Sequence, residues 1–535
     1  MADLLIIGNI ITMDPARIRA DAMLISGERI IFVGSRSDAE ALAKPETERL
    51  HFPRGAVLPG FIDSHNHMLW TALQHAQLDL NGSKSIREIL DRIGGYAAAH
   101  PEREWIIAGA GWHIVDIEER RYPTRQEIDA VCAERPVYLP RTGHAAVVNS
   151  KALALAGIDR HTQDPPGGKI IRDAQGEPTG LLKEPPAFDL VGNIIPAMDK
   201  GRILASLEQV QKTYHAAGLC GIIDPGLTSP ELQIYRDLKE QGKMTMRSVV
   251  MPLAQVAEAP GLIFQGLSAI DGRTGSGDSL LKYGAVKVYL DGGGASGTAL
   301  MREPYPDEIC NCGIQVTPTD QFRDLVAFCA ENRWSLGVHT VGGKAMDIAL
   351  KTFRDVNART PIRELRFSLI HAYLWPSPEN IADAHALGVG IATQASMQYQ
   401  SAPLLVERFG EDLVGQATPI RSWMDAGVIV AGGSDSPVTP YPPLLGMWHA
   451  MTRYVDRLGK PIGVDQGIDA LSALKLYTSN AAWLSFSEHE RGALRPGALA
   501  DWVALDMDPL TIDSSALRDA RVLATAVGGR LVHQQ

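Results

Sequence analysis

The sequence predicts an α/β chain: a (β/α)8 barrel of the TIM type, a small β-sandwich domain built from both termini, and an insertion after the first barrel strand. Three observations carry this expectation. Both ends read as short β-rich runs. The middle alternates apolar strands with amphipathic helical stretches. Several of those strands end in a histidine, a lysine or an aspartate. At 535 residues the chain exceeds one ordinary domain, although barrels alone can pass about 250 residues.

The first element is the N-terminal run "LLIIGNIITM", followed by "AMLISG" and "RIIFVGS". It has no preceding Lys or Arg and no small-residue cleavage site, so it reads as a strand and not as a signal peptide. The C-terminus echoes it in "GALADWVALDMDP" and "RVLATAVGGRLVHQ". Residues 1–55 and 488–535 are therefore expected to form the small domain, with 56–487 as the barrel between them. Eight strands are expected there: 56–65, 218–225, 246–252, 284–292, 335–340, 367–372, 388–394 and 427–435. Between them lie segments such as "ILASLEQVQKTYHAAG", in which Ile203, Leu207 and Val210 share one helical face. The long stretch between the first two strands carries strands of its own, "EWIIAGAGW" and "PVYLPRTGHAAVVN". A structureless loop of that length is improbable, so about 75–200 reads as a substructure inserted over the active face.

Composition narrows the class. A hydrophobic fraction of 45% with 21% charged residues describes a soluble globular chain. The formal net charge of −11 argues against nucleic acid or an anionic membrane as partner. No apolar run reaches the ~18–20 residues of a membrane span. The five cysteines are scattered and odd in number, which fits a reducing compartment better than a disulfide framework. A cytoplasmic location is expected. The expected partner is a small-molecule substrate, and a homodimer stays open.

The chemistry begins at "GFIDSHNHML", where His65 and His67 stand one residue apart. On a strand, residues i and i+2 point to one face, and neighbouring imidazoles can share a Zn, Cu, Fe or Ni ion. An isolated H-x-H reads equally well as a polar turn. Further donors come in strand order: Lys287 in "VKVYLDGG", His339 in "GVHT", His371 in "LIHA" and Asp435 in "GGSD". Each falls at the C-terminal end of its strand, where barrels place their active sites. Singly, each of these histidines reads as a core or loop residue; together they read as a metal site.

This order of H-x-H, Lys, His, His and Asp resembles the amidohydrolase superfamily over nearly the whole chain. "TGHAAVVNS", "TGLLKE" and "VKVYLDGG" resemble its family 3 branch, which includes N-substituted formamide deformylases, and "GALRPGALADWVALDMDP" resembles that superfamily's return to the β-sandwich. The resemblance implies one or two divalent ions, Zn as the expectation, held by His65, His67, Lys287, His339, His371 and Asp435. It also implies that Lys287 is carbamylated and bridges two ions; an unmodified Lys287 paired with Asp291 is the alternative. Glu184 in "TGLLKE" is a further candidate ligand or substrate contact.

A bound cation lowers the pKa of water towards ~7, and Asp435 is the expected general base. His144 or His371 would supply a hydrogen bond to the developing oxyanion. Trp70, Trp112, Trp375 and Tyr399 are candidates for an aromatic substrate pocket, or for packing the insertion onto the barrel. The glycines of "DGGGASGT" lack the phosphate-binding G-x-x-x-x-G-K-[ST] pattern, and no G-x-S-x-G elbow points to a serine hydrolase. The expected activity is metal-dependent hydrolysis of a non-peptide C–N bond, an N-acyl or N-formyl amide. The rivals are an aminohydrolase (deaminase) or cyclic-amide hydrolase, and a non-catalytic regulatory protein on the same scaffold.

Overall fold

The structure, a computed structural model, describes residues 3–75, 77–110, 112–141, 143–196, 198–254, 260–308 and 310–535. Of the stretches quoted from the sequence, only Gly111 and Thr142 lie outside them, as do Met1 and Ala2 of the expected terminal domain.

Both chain ends meet in one seven-stranded sheet. The strand Glu48–Pro59 joins them. Its first half pairs in parallel with Leu4–Asp14, and its last residues pair antiparallel with Trp502–Leu505. Apolar side chains alternate along these strands: Ile6, Met23, Ile25 and Trp502 bury on one face, whereas Leu5, Ile7, Ala22 and Leu24 bury on the other with Ala39 of the helix Arg36–Leu42. Where a sandwich is expected, the described strands of the two ends thus pair as one continuous sheet.

Besides the short strand Leu281–Tyr283, which pairs in parallel with Arg247–Pro252, the described residues of the middle hold eight parallel strands: Phe61–Asp63, Leu219–Leu227, Arg247–Pro252, Val286–Tyr289, Leu336–Gly342, Ser368–Leu374, Gly390–Thr393 and Val430–Gly432. They are numbered strands one to eight in that order. Strands one to three pair in sequence, as do strands four to eight. Two seams join these groups. At one, Ala254 N donates to Lys287 O at 2.8 Å beside a parallel bridge between Leu253 and Lys287. At the other, Ser64 N donates to Gly432 O at 3.0 Å. The hydrogen-bonded order therefore passes through eight strands and returns to the first.

Period-two alternation sorts their side chains. Ile223, Val249, Met251, Ile370 and Ala392 meet in one cluster, while Ile222, Val250, Leu369 and Ile391 pack among the helices. Ile203, Leu207 and Val210 of the helix Lys200–Ala216 are buried on one face, as their spacing predicts. Among the described residues no helix is long and apolar enough to cross a membrane.

The segment between strands one and two carries a separate five-stranded sheet, in the order Ile106–Ile107, Val137–Arg141, Ala145–Val148, Pro178–Lys183, Lys169–Arg172. It has its own core around Ile89, Ile93, Ile128, Val137 and Leu139.

Candidate metal centre

Strand one ends at Asp63, whose buried carboxylate organises the turn after it. It accepts from the backbone N–H of His65 (3.2 Å) and of Ser434 (2.9 Å), from the Asn66 amide (2.9 Å) and from the Ser434 hydroxyl (2.6 Å). The turn after strand one is thereby locked to the turn after strand eight. Two backbone bonds add to this lock, Asp435 N to His65 O at 2.7 Å and His67 N to Ser436 O at 2.8 Å.

Four candidate residues hold positive φ: 74° at His371, 60° at Asp435, 64° at Glu184 and 57° at Trp375. Such conformations cost of order 1–3 kcal/mol and persist where surrounding bonds over-determine them. At Asp435 such bonds come from its own N–H to His65 O and from the preceding Ser434 to Asp63.

The result is a buried cluster. His65 Nε2 lies 3.1 Å and His67 Nε2 3.2 Å from Asp435 Oδ1. The His371 ring is 5.1 Å from that of His65 and 4.5 Å from that of His339. Ligand atoms of His65, His371 and Asp435 all lie within 4.8 Å of one another. Nδ1 of His65, of His67 and of His339 has no hydrogen-bond partner, and Nε2 of His65 has only the Asp435 carboxylate beside it. Buried polar groups are rarely left so. Donors spaced around a tetrahedral cation with bonds of ~2.0–2.1 Å would stand roughly 3.3 Å apart, close to the separations here. The residues fit a divalent metal ion.

Electrostatics agree with that fit. Burial pulls the imidazoles down, His65 to about 3, so they are neutral and offer lone pairs. Burial would push the Asp435 carboxyl up, but the adjoining ring nitrogens of His65 and His67 outweigh it and hold Asp435 well below the usual carboxylate range. Gln394, at the end of strand seven, accepts from His371 Nδ1 at 2.5 Å, which leaves Nε2 of His371 for the cluster. The Gln394 amide is itself held by the Ala392 carbonyl at 3.0 Å.

Lys287 on strand four is 1% exposed, and burial brings its amine down to about 7. Its Nζ lies 4.7 Å from the centre of the Tyr289 ring. The alternative pairing with Asp291 is not formed. Asp291 instead accepts from the backbone of Val341 (2.9 Å), Gly342 (2.8 Å) and Leu300 (2.9 Å), tying the end of strand four to that of strand five. Asp224, at strand two, stands 3.9 Å from His67 Nδ1 and accepts from Leu69 N at 3.0 Å.

The inserted sheet adds a second layer. Lys183 pairs with Ala145 across antiparallel strands, which sets Glu184 opposite His144. The backbone of Glu184 donates to His144 O at 3.0 Å, and its Oε2 accepts from His144 Nδ1 at 2.9 Å. Thr298 donates to the other Glu184 oxygen. Burial lowers the pKa of His144, but the charge and hydrogen bond of Glu184 overcome it, and the net shift is upward. The His144 ring stands 4.8 Å from that of His339.

Of the aromatic candidates, Trp70 stacks on His67 at 3.9 Å with an interplanar angle of 9°. The other three are engaged in packing. Trp112 donates to Pro140 O inside the insertion core, Trp375 to Leu413 O beside Phe409, and the Tyr399 hydroxyl to Asp456. None of the four lines the cavity at the cluster. His144, His371 and Asp435 do, together with His113, Arg141 and Thr439. That cavity gives the centres of water-sized molecules about 40 Å³. A wider cleft of about 530 Å³, lined by Gln74, Gln400 and Tyr441, lies across the wall formed by Val438 and Thr439. Sequence reading passes over Asp63, Asp224, Gln394, His113 and Arg141; only Asp63, two residues before His65, carries a local signal.

Comparison with known proteins adds family and fold. The amidohydrolase family model matches residues 55–533. The N-substituted formamide deformylase of Arthrobacter pascens is 31% identical over 559 residues, which is 100% of this chain and 99% of that one. The protein YtcJ of Bacillus subtilis (strain 168) is 29% identical over 99% of this chain and 98% of its own. Among solved structures, an uncharacterized metal-dependent hydrolase from Pyrococcus furiosus superposes with a TM-score of 0.72 at 25% identity, covering 95% of this chain and 99% of that one.

Proposed function

The chain belongs to the amidohydrolase family, and from that premise we propose that it is a metal-dependent hydrolase of a non-peptide C–N bond, acting on an N-acyl or N-formyl amide. One observation carries the reading: the neutral imidazoles of His65 and His67 set their Nε2 atoms 3.1 and 3.2 Å from the ionised Asp435 carboxylate in a buried cluster that also holds His371. We read the ring of eight strands as the expected (β/α)8 barrel, with the cluster at its C-terminal face. His65, His67, His339, His371 and Asp435 would hold the ion, zinc being the identity that best suits imidazole and carboxylate donors. Lys287 would join them as a carbamate. A lysine whose amine titrates near 7 is substantially unprotonated at neutral pH, which is the form that adds to carbon dioxide.

A bound divalent ion supplies Lewis acidity to water and to the substrate carbonyl. Asp435 then accepts the proton of the attacking water and returns it to the leaving nitrogen. His144, held through Nδ1 by Glu184, presents Nε2–H to the developing oxyanion. Thr298 and Glu184 keep that imidazole from turning.

The test combines elemental analysis of protein purified without chelator with a hydrolysis screen of N-formyl and N-acyl amines, ureas and cyclic imides. At least one transition-metal ion per chain, and release of amine from the amides, is the expected result. Protein that neither carries nor takes up such a metal overturns the reading.

A further inference from the structure

One charge in the cavity has no counterpart. Arg141 is 1% exposed, and among the described residues no aspartate or glutamate forms an ion pair with it. Its Nη1 donates to the Tyr122 hydroxyl at 2.7 Å and its Nη2 lies 3.3 Å from His113 Nδ1. His113 can accept that bond only as a neutral ring. It does so: Nε2 carries the proton, donated to Val438 O at 2.8 Å, and burial followed by the Arg141 charge pushes the ring down to about 3. Both partners of Arg141 are therefore uncharged. Of the five N–H donors of a guanidinium, two are used, and Nε is buried with no partner at all.

An arginine is charged at every accessible pH, and a buried cation without an anion is expensive to keep. Proteins retain such a group where a ligand completes it. Arg141 lines the same cavity as His144, His371 and Asp435, so its missing anion would sit beside the reacting amide.

We infer that the substrate is an amide bearing a carboxylate, an N-acyl or N-formyl amino acid in chemical class, and that Arg141 binds that carboxylate. The planar guanidinium fork matches a carboxylate in geometry and charge. Tyr122 and His113 position the fork without neutralising it. This inference rests on the hydrolase reading, and it names the substrate class of that same site.

The experiment compares kcat/KM for N-formyl and N-acetyl glycine, alanine and leucine, each as the free acid and as its methyl ester, in metal-loaded wild-type protein and in Arg141→Gln and Arg141→Lys. Calorimetric titration of the same proteins with butyrate and with butyramide gives a readout independent of turnover. The free acids should exceed their esters roughly ten- to hundredfold, the scale of one charged hydrogen bond. Arg141→Gln should bring the ratio to about one, and Arg141→Lys should retain part of it. Butyrate should bind the wild type at least tenfold more tightly than Arg141→Gln, and butyramide should bind neither detectably. Esters hydrolysed as fast as acids by the wild type overturn the inference and leave the hydrolase reading standing, even where both variants fail to fold. Butyrate bound equally by wild type and Arg141→Gln also overturns it, because the carboxylate then goes to the metal. Butyrate selectivity with no amide turned over supports the Arg141 site and removes the hydrolase reading.

Discussion

The two ends of the strand ring bury charge in opposite ways. At the N-terminal ends, Arg247 opens strand three and forms a two-pronged pair with Asp501 of the terminal segment, at 2.8 and 3.0 Å. Its remaining nitrogen donates to Ser279 O at 3.0 Å, Gly528 N donates to Asp501 at 2.8 Å, and Arg491 stands 3.2 Å from the same carboxylate. The packing is tight enough that a Cβ on Gly221, which pairs with Arg247, would lie 1.9 Å from the Arg491 guanidinium. At the C-terminal ends, His65 and His339 keep ring nitrogens without partners, and Arg141 keeps a charge without an anion. Burial is as complete at one end as at the other, so burial alone does not mark function. Convergence does: the Arg247–Asp501 pair closes a structural seam although Arg491 beside it keeps Nε and Nη2 without hydrogen-bond partners, whereas His339, His371, Asp435 and Arg141 face one cavity that leaves room for a ligand.

Five substitutions sharpen this contrast and set it against the surface, in descending size of effect. Asp435→Asn keeps shape but cannot take a proton, so kcat should fall by roughly 10²–10⁴ while the folded protein still binds metal and substrate. An Asn variant that turns over at the wild-type rate makes Asp435 a purely structural residue and erases the contrast. Arg247→Met should do the reverse: a stability loss of about 3–5 kcal/mol from stranding a buried carboxylate, measured by denaturant titration, with kcat of the folded fraction unchanged. A rate loss without a stability loss would mean the seam reaches the active face.

His144→Ala should lower kcat/KM by more than tenfold, about 1.4 kcal/mol of transition-state stabilisation, with metal content intact by elemental analysis. Glu184→Gln should follow it in direction, since Glu184 acts through His144. An unchanged rate in both variants would reduce the inserted sheet to a cover. The smallest effect belongs to the surface. Glu127 caps the helix Arg125–Asp129 and is held down to about 2, first by its hydrogen bonds from Arg121, with Thr124 adding to them. A lowered carboxyl stabilises above its ordinary value of 4.5 and loses that contribution as pH falls towards 2. With solvent screening, Glu127→Gln should cost under about 1 kcal/mol at pH 7. The gap in melting midpoint from wild type should shrink between pH 5 and pH 3; a gap constant with pH would show that the cap and not the charge matters.

Much of this is legible locally. His65 and His67 share a short stretch, and apolar strands ending in His339, His371 and Asp435 announce themselves because strand length, alternation and a polar terminus are properties of neighbouring residues. Strand edges come out too wide from the sequence: 427–435 is expected, and the strand proper covers Val430–Gly432. Which of the two roles weighed for the aromatics applies is not legible locally, since the hydrogen-bond partners of Trp112, Trp375 and Tyr399 lie on distant segments.

The sequence by itself determined the alternation of strands and helices, the donor types and their order along the chain, because each depends on a few adjacent residues and on the twofold and 3.6-fold periods of the backbone. Only the tertiary structure decided which donors find partners. Glu184 meets His144 through antiparallel register across a separation of 40 residues, and Asp63 couples to Ser434 across 371. Arg141 bonds Tyr122 and His113, both neutral, and forms no ion pair with a described carboxylate. Whether a buried group is satisfied depends on all its neighbours at once, and those neighbours exist only after the chain has folded.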